Sequence, residues 1–508
     1  MRMDTRRTMT QHTREPKKKA YVETYGCQMN ISDGELMQGI LAAHGYDLAA
    51  TPDEADVVLV NTCAIREHAE KRVLGRVSQL NKLKGERPDL VIGVTGCMAQ
   101  RMGESLLEQA PYVDLVMGPD GYRRLPEALA AVRNPEIAVP SADAAAEDTR
   151  REASSAVATS GTRRKRTLPV LGAVSSGTAP QKTADGRLAV LDFADHENYE
   201  GIEVRRTSRV SAWVPIQRGC DHRCTYCIVP YVRGPEKNRD PEMILDEVRN
   251  IVAQGIPEVT LLGQTVNSYR HGDWDFPRLL RAVARVDGLR RVRFTSPHPN
   301  DFTPALAEVM AEEPTVCKQL HLPVQAGHNR TLKRMLRRYT VETFLEKVRL
   351  AREVVPGIAL STDVIVAFPG ETEEEYEATL DLLREVRFDD AYLYKYSARD
   401  GTPATRLPQD QFLPEEVAQA RLARVIEVQR AIQAEINRSE VGRIEEVLVE
   451  RVAKSEGDVL GRTDGNKVVA FPGDPSLIGS FLEVRLTATT GATFIGVPVD
   501  DEARVHVA

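Results

Sequence analysis

The stretch RGCDHRCTYC, residues 218–227, sets Cys220, Cys224 and Cys227 in a C-x3-C-x2-C pattern. Thiolates are soft ligands that favour zinc or iron–sulfur clusters. An iron–sulfur cube usually takes four thiolates, so this pattern would leave one iron without a protein ligand. Structural zinc would want a fourth Cys or His at a typical spacing. His222 lies between two of the cysteines and is badly placed to close a tetrahedron. His271 and His298 stay open as distant ligands, and burial of the three thiols as inert packing also stays open. Tyr226 stands beside the last cysteine, where its ring can pack on a ligand or on a core.

A second set is spread along the chain. YGCQMN, NTCAIRE and TGCMAQR place Cys27, Cys63 and Cys97 directly after three apolar runs that read as strands. The spacings of 36 and 34 residues are about one strand–helix unit each. In a parallel sheet the three positions converge outside the carboxyl ends of the strands. Two of them precede helices, whose N-termini favour a thiolate. A second three-thiolate cluster with an open iron is therefore expected there. Cys317, in PTVCKQLHL, is expected to pack in a core. Seven cysteines in 508 residues are too few, and an odd number, for a disulfide scaffold.

The elements that position these thiols follow from periodicity. AYVETYG, ADVVLVNT and LVIGVTG read as buried parallel strands, with EHAEKRVLGRVSQLNKL and MAQRMGESLLEQA as crossover helices. Residues 18–138 are thus expected to form a doubly wound α/β domain. Residues 139–205 are rich in Ala, Ser, Thr and charge and read as a linker, with a basic cluster at Arg163, Arg164, Lys165 and Arg166. Residues 206–437 resume the alternation with AWVPIQ, EVTLLG, RVRFTS, KQLHLPV, ALSTDVIVAF and AYLYKYS, six units that fit a partial (β/α)6 barrel. Asp240 before Pro241 predicts a helix start. The long helix EEVAQARLARVIEVQRAIQAEINRS closes this part. Residues 438–504 are strand and turn, with Asp464-Gly465 as a turn signal, and read as a small β-barrel of the kind that often binds nucleic acid.

Barrel chemistry sits at the C-terminal strand ends. Gly263 and Gln264, Ser296 and His298, Gln325, Asp363 and the turn Phe368-Pro369-Gly370-Glu371 occupy such places and are candidates for ligand contact. The net charge of −7 predicts no general affinity for nucleic acid. The C-terminal segment 438–508 carries eight Lys/Arg against twelve Asp/Glu, a balance of −4. RNA affinity would then need a basic face on that domain or help from the barrel, with Arg290, Arg291 and Arg293, or Lys333, Arg334, Arg337 and Arg338, as candidates. No apolar run approaches the roughly 18 residues that span a bilayer. The polar, basic N-terminus has no apolar core of a signal peptide, so a cytoplasmic protein with a disordered tail is expected.

C-x3-C-x2-C after the first strand of a β/α barrel resembles the radical S-adenosylmethionine (SAM) superfamily. That resemblance implies that the amino and carboxylate groups of SAM chelate the open iron. One electron then cleaves SAM to methionine and a 5′-deoxyadenosyl radical. Together with YGCQMN, NTCAIRE, GCMAQR, HLPVQAG, TDVIVAFPGETEEE and GRTDGNKVVAF, the chain resembles the methylthiotransferase family over nearly its whole length. This implies two [4Fe-4S] clusters, on Cys27, Cys63 and Cys97 and on Cys220, Cys224 and Cys227, and by their places Tyr226, Gly263, Gln264, Ser296, Gln325 and Asp363 are the candidates for contact with SAM. It implies a C-terminal TRAM barrel and a methylthio group added to C2 of N6-isopentenyladenosine beside the tRNA anticodon. The sulfur would come by way of the first cluster and the methyl group from a second SAM.

HLPVQAG and SPHP lean to that branch over those acting on threonylcarbamoyl-adenosine or a ribosomal-protein aspartate. GQTVNSY departs from the family in Thr265, where Asn is usual, and the 140–200 segment is longer than usual. An external electron donor of flavodoxin or ferredoxin type, a monomer and no membrane partner are also expected. A zinc-stabilised RNA-binding protein without catalysis is the reading from another class.

Overall fold

The computed structural model describes residues 17–64, 67–134, 136–141, 180–183, 185–194 and 197–499, with no account of the side chains of 67–71. The cluster Arg163–Arg166 and residues 1–16 of the expected N-terminal tail lie outside the described residues, while Lys19 and Ala20, at the end of that stretch, already belong to a strand. The architecture is α/β, with a doubly wound sheet, a partial β/α barrel and a small closed β-barrel in chain order.

Near-continuous runs of Val, Leu and Ile make strands that must be covered on both faces. Lys19–Tyr25, Val57–Thr62, Val91–Gly96 and Leu115–Met117 pair in parallel in that order. One face is packed by Leu36, Met37, Ile40 and Leu41 of helix Gln28–Ala43 and by Leu125 and Leu129 of helix Leu125–Arg133. Val73, Val77 and Leu80 of helix Glu67–Glu86 cover the other with Met98, Leu106 and Leu107.

The expected linker over 139–205 is corrected at its C-terminal part. Leu188–Val190 adds a buried strand parallel to Leu115–Met117, and Gln181–Lys182 pairs antiparallel to it. Beyond them, Asp192 takes both amino groups of Arg124 at 2.9 and 2.7 Å, with both side chains buried. Tyr199 stacks on Tyr122 at 5.8 Å and donates its hydroxyl to the Pro119 carbonyl at 2.5 Å. Three-residue strands are too short to show a period, so this extension of the domain is hard to read in sequence.

The six predicted barrel strands form as two parallel triplets. One comprises Ser211–Pro215, Glu258–Leu262 and Arg291–Phe294; the other comprises Gln319–His321, Ala359–Val366 and Asp390–Lys395. A bridge between Val292 and Val316 joins them. Cys317 follows that bridge, buried in the seam. Helix Pro241–Ala253 starts on Asp240, whose side chain accepts from the amides of Glu242 and Met243. Helix Glu373–Val386 starts on a reciprocal Thr372–Glu375 capping box, which satisfies two otherwise orphaned amides.

The C-terminal barrel closes in the order Ile444–Val452, Asp458–Arg462, Val468–Pro472, Thr493–Pro498, Phe481–Thr489. Val447, Val449, Val459, Val469, Phe471, Val484, Leu486 and Phe494 fill it. Its seat corrects a sequence expectation. Arg291 and Arg293, candidates for RNA, are buried and point at this barrel. Arg291 donates to the carbonyls of Arg462 and Glu446 at 2.9 and 2.7 Å. Arg293 donates to those of Asp464 and Thr463, both at 2.8 Å, and pairs with Glu258 at 3.0 Å. Arg290 lies over the Phe481 ring at 4.3 Å. These arginines clamp one domain on another, because carbonyls left over at the barrel's turns need donors.

Candidate active site

Strand register alone brings the first cysteine set together. Tyr25 is level with Thr62, and Thr62 with Gly96. Cys63 and Cys97 are the next residues on neighbouring strands, and Cys27 lies one residue beyond Gly26. Neighbouring strands are about 4.8 Å apart, so three thiols share one sheet edge. Two asparagines tie that edge: Asn61 donates to the Asn30 carbonyl at 2.7 Å, and Asn30 to the Thr62 carbonyl at 3.1 Å. The Cys27 thiol donates to Asn30 Oδ1 at 3.2 Å. Asn30 ends YGCQMN and Asn61 opens NTC, but no local pattern marks either asparagine as a tie between strands.

Glycines leave the edge its room. A Cβ on Gly26 would lie 2.8 Å from the Cys63 Cβ. A Cβ on Gly96 would lie 2.5 Å from both Thr62 O and Asn61 Oδ1, and its φ of +95° suits glycine alone. Gly96→Ala is expected to cost about 1–3 kcal/mol through that strain. Chemical denaturation measures it, and the strain reading fails if the variant is as stable as the wild type.

The second set lies in the loop after the first barrel strand. Gly219, with φ +77°, lets the backbone pass where a Cβ would meet the Pro235 carbonyl at 1.9 Å. The Cys220 amide bonds the Gly234 carbonyl at 3.1 Å and the Cys227 amide that of Cys224 at 3.0 Å. Arg337, read above as an RNA candidate, instead puts Nη1 3.3 Å from Cys224 Sγ. Thr265 donates to Glu236 at 3.0 Å and lies 3.6 Å from Cys220 Sγ, so this position keeps a hydroxyl beside the cysteine loop.

The thiols differ in charge preference. The Cys63 side chain, by its hydrogen bond, brings Cys27 down to about 6 against the opposing effect of burial, with help from the Arg233 guanidinium. Burial raises Cys97. Burial likewise lifts Cys220 to about 11 and Cys227 to about 12, the latter also through Cys224. Buried thiols of this kind hold a thiolate when a bound cation offsets the charge.

The two sites touch. Helix Val229–Arg233 follows Cys227 directly, and its Val232, with Ile228, packs on Cys97 and Ala64. Arg233 Nε donates to Cys97 Sγ at 3.2 Å.

The other predicted site residues fall as follows. Tyr226 packs against the barrel core. Gly263 has no room for a side chain, since a Cβ would lie 2.9 Å from Val266 Cα. Gln264 has a buried Oε1 without a hydrogen-bond partner. Ser296 (exposed) and Gln325 (buried) adopt φ of +60° and +73° after the third and fourth strands, and Ala367 does so at +58° after the fifth. Such conformations in non-glycine residues cluster at functional sites. Asp363 lies mid-strand, level with Tyr392, with Oδ2 3.5 Å from His321 Nε2. Tyr392 is 47% exposed beside it and meets His321 edge-on at 5.7 Å.

His298 stacks on His222 at 4.0 Å. Burial, then the charge of Arg337, pushes it down to about 2, so it stands neutral and accepts from the Asn300 amide at 3.3 Å. With Asp301 these histidines are the one His/Cys/Asp/Glu trio among the described residues whose ligand atoms all lie within 4.8 Å. Neither cysteine trio is that tight. Three sulfurs on one zinc ion, each at about 2.3 Å, would be about 3.8 Å apart. As they stand the trios are wider than one zinc ion would hold them, although Cys27 and Cys63 are themselves hydrogen-bonded.

The barrel with its C-x3-C-x2-C loop defines a radical SAM protein, and residues 214–383 match the radical SAM superfamily model. Residues 19–118 match the model described as uncharacterized protein family UPF0004, and 438–499 match the TRAM domain. The chain is 42% identical over 476 residues to the tRNA-2-methylthio-N(6)-dimethylallyladenosine synthase of Carboxydothermus hydrogenoformans, covering 92% of this chain and 97% of that protein. It is 39% identical over 500 residues to the protein of that name from Chloroherpeton thalassium, covering 98% and 99%. The chain belongs to the tRNA-2-methylthio-N(6)-dimethylallyladenosine synthase family. Among solved structures it resembles the radical SAM methyltransferase TsrM from Kitasatospora setae, with cobalamin and a [4Fe-4S] cluster bound. The TM-score is 0.54 at 14% identity, over 87% of this chain and 82% of that one, which speaks for the fold alone.

Proposed function

We propose that this chain adds a methylthio group to C2 of N6-isopentenyladenosine next to the anticodon of tRNA. The observation that carries the reading is the meeting of two three-cysteine sites across one packed contact, Cys97 against the helix that follows Cys227. Cys220, Cys224 and Cys227 hold one [4Fe-4S] cluster, and Cys27, Cys63 and Cys97 hold another. The bound clusters and SAM supply the electron, the carbon radical, the sulfur and the methyl group, which no side chain provides.

The chain's own residues bind, orient and exclude water. Gln264 offers its unpartnered Oε1 to the SAM ammonium, and Tyr226, Gly263, Ser296 and Gln325 are the further candidates for SAM contact. Gln264→Ala is expected to weaken SAM binding about tenfold, close to 1.4 kcal/mol. Equilibrium dialysis of the reconstituted protein reads this, and unchanged affinity removes Gln264 from the site. Asp363 and Tyr392 form a wall where an extruded base can be hydrogen-bonded and stacked. His321 supports it through its contacts with both.

With Arg291 and Arg293 taken up by the TRAM seat, exposed Lys333 and Arg338 remain as rim cations for phosphate. No helix among the described residues is long and apolar enough to cross a membrane. We further infer a cytoplasmic monomer that receives electrons from a flavodoxin- or ferredoxin-type donor. The threonylcarbamoyl-adenosine and aspartate readings are not favoured, since the relatives carry the dimethylallyladenosine name. Nucleoside mass spectrometry of tRNA from a deletion strain tests the substrate. Loss of the 2-methylthio-isopentenyl nucleoside supports it, and its persistence without a duplicate gene rejects it.

A further inference from the structure

Arg233 bonds directly from the helix after Cys227 to the first cysteine set. It is buried, and two of its three nitrogens are bonded. Nε donates to Cys97 Sγ at 3.2 Å and Nη2 to Asp33 Oδ2 at 2.7 Å, while Nη1 is buried without a hydrogen-bond partner. Asp33 gives its other oxygen to Arg218 Nη2 at 3.0 Å. Arg218 stands just before Gly219 and Cys220, and its guanidinium also lies 4.6 Å over the Tyr199 ring. Two buried guanidinium groups thus share a single carboxylate. Asp120 also acts on Arg218, but it is itself paired with Lys237.

A buried cation in excess, with an N–H left over, calls for an anion that also accepts a hydrogen bond. An iron–sulfur group on three thiolates is such an anion, and hydrogen bonds to its sulfurs set its potential. We propose that Arg233 is a positioning residue through which the radical SAM barrel holds the sulfur-bearing group on Cys27, Cys63 and Cys97. Its Nη1–H and its unbalanced charge are kept for an anionic sulfur of that group. This rests on reading those three cysteines as ligands. It adds that the site is completed by a residue six positions after Cys227, so the sulfur-holding and radical-forming sites share one short segment.

The test uses the full chain, reconstituted anaerobically, as Arg233→Gln and Arg233→Lys. Electron paramagnetic resonance during a redox titration reads each cluster's midpoint, with the barrel cluster as internal reference. Losing the cation disfavours the more negative reduced state. Arg233→Gln should make reduction of the N-terminal group about tenfold less favourable, which is 59 mV for one electron, and leave the barrel cluster unmoved. Arg233→Lys should stay near the wild type. A purely structural role would not shift one potential selectively and be rescued by lysine.

An N-terminal midpoint unchanged in Arg233→Gln, with full iron, overturns the proposal. If Arg233→Gln does not load that group, loading restored in Arg233→Lys supports it and loading still absent overturns it. A wild type with iron for one group only overturns the ligand reading and this proposal together. A wild type with both groups and an unmoved midpoint in Arg233→Gln overturns this proposal alone.

Discussion

Cys63→Ala is expected to lower bound iron from about eight to about four per chain, to keep SAM cleavage under dithionite within about twofold, and to abolish methylthiolation. Cys63 follows the strand between those that lead to Cys27 and Cys97, is buried, and is the hydrogen-bond partner that brings the Cys27 thiol down. Removing one of three thiolates leaves two, too few to hold a cube at a sheet edge. The barrel set uses none of these residues, so its chemistry should continue without a product. The fold should survive, since one buried sulfur lost costs only about 1–2 kcal/mol. Cys317→Ala is the control, because Cys317 lies in the barrel seam away from both sets. Iron assay and SAM-cleavage chromatography read the three outcomes, and equal iron in wild type and Cys63→Ala would remove the two-cluster reading.

The second large effect concerns the seat of the C-terminal barrel. Arg293→Ala should destabilise the junction by about 3–5 kcal/mol, because it strands the buried Glu258 carboxylate and two TRAM carbonyls. Arg290→Ala should cost under about 1 kcal/mol, since its pair with Glu446 is about half exposed on both sides. Limited proteolysis and denaturant titration measure both. Early release of a fragment beginning near residue 438 is expected for Arg293→Ala. Equal behaviour of the two variants would mean that the buried arginines are not what holds the barrel.

Much of this architecture was legible. Apolar runs such as ADVVLVNT and LVIGVTG need cover on both faces and carry a cysteine at the same end, so sheet and thiols were readable together. Asp240-Pro241 announced its helix by local chemistry alone. The unread parts depend on distance or on backbone. Arg233 and Asp33 are 200 residues apart in sequence, and nothing local says that YVRG reaches a cysteine of another domain. Arg291 and Arg293 look like phosphate binders because a string of letters does not show which way a strand turns its charges. The positive φ of Ser296 and Gln325 comes without the glycine that would have signalled it.

Two sites, each short of one ligand, should answer to different molecules. Mössbauer spectra of the reconstituted wild type, recorded alone, with SAM, and with sulfide, test this most directly. SAM should perturb one iron of the barrel cluster and leave the N-terminal group unchanged, while sulfide should perturb the N-terminal group alone. A single cluster signal, or two signals that both answer to SAM and neither to sulfide, would contradict a division into one site that makes the radical and one that presents the sulfur.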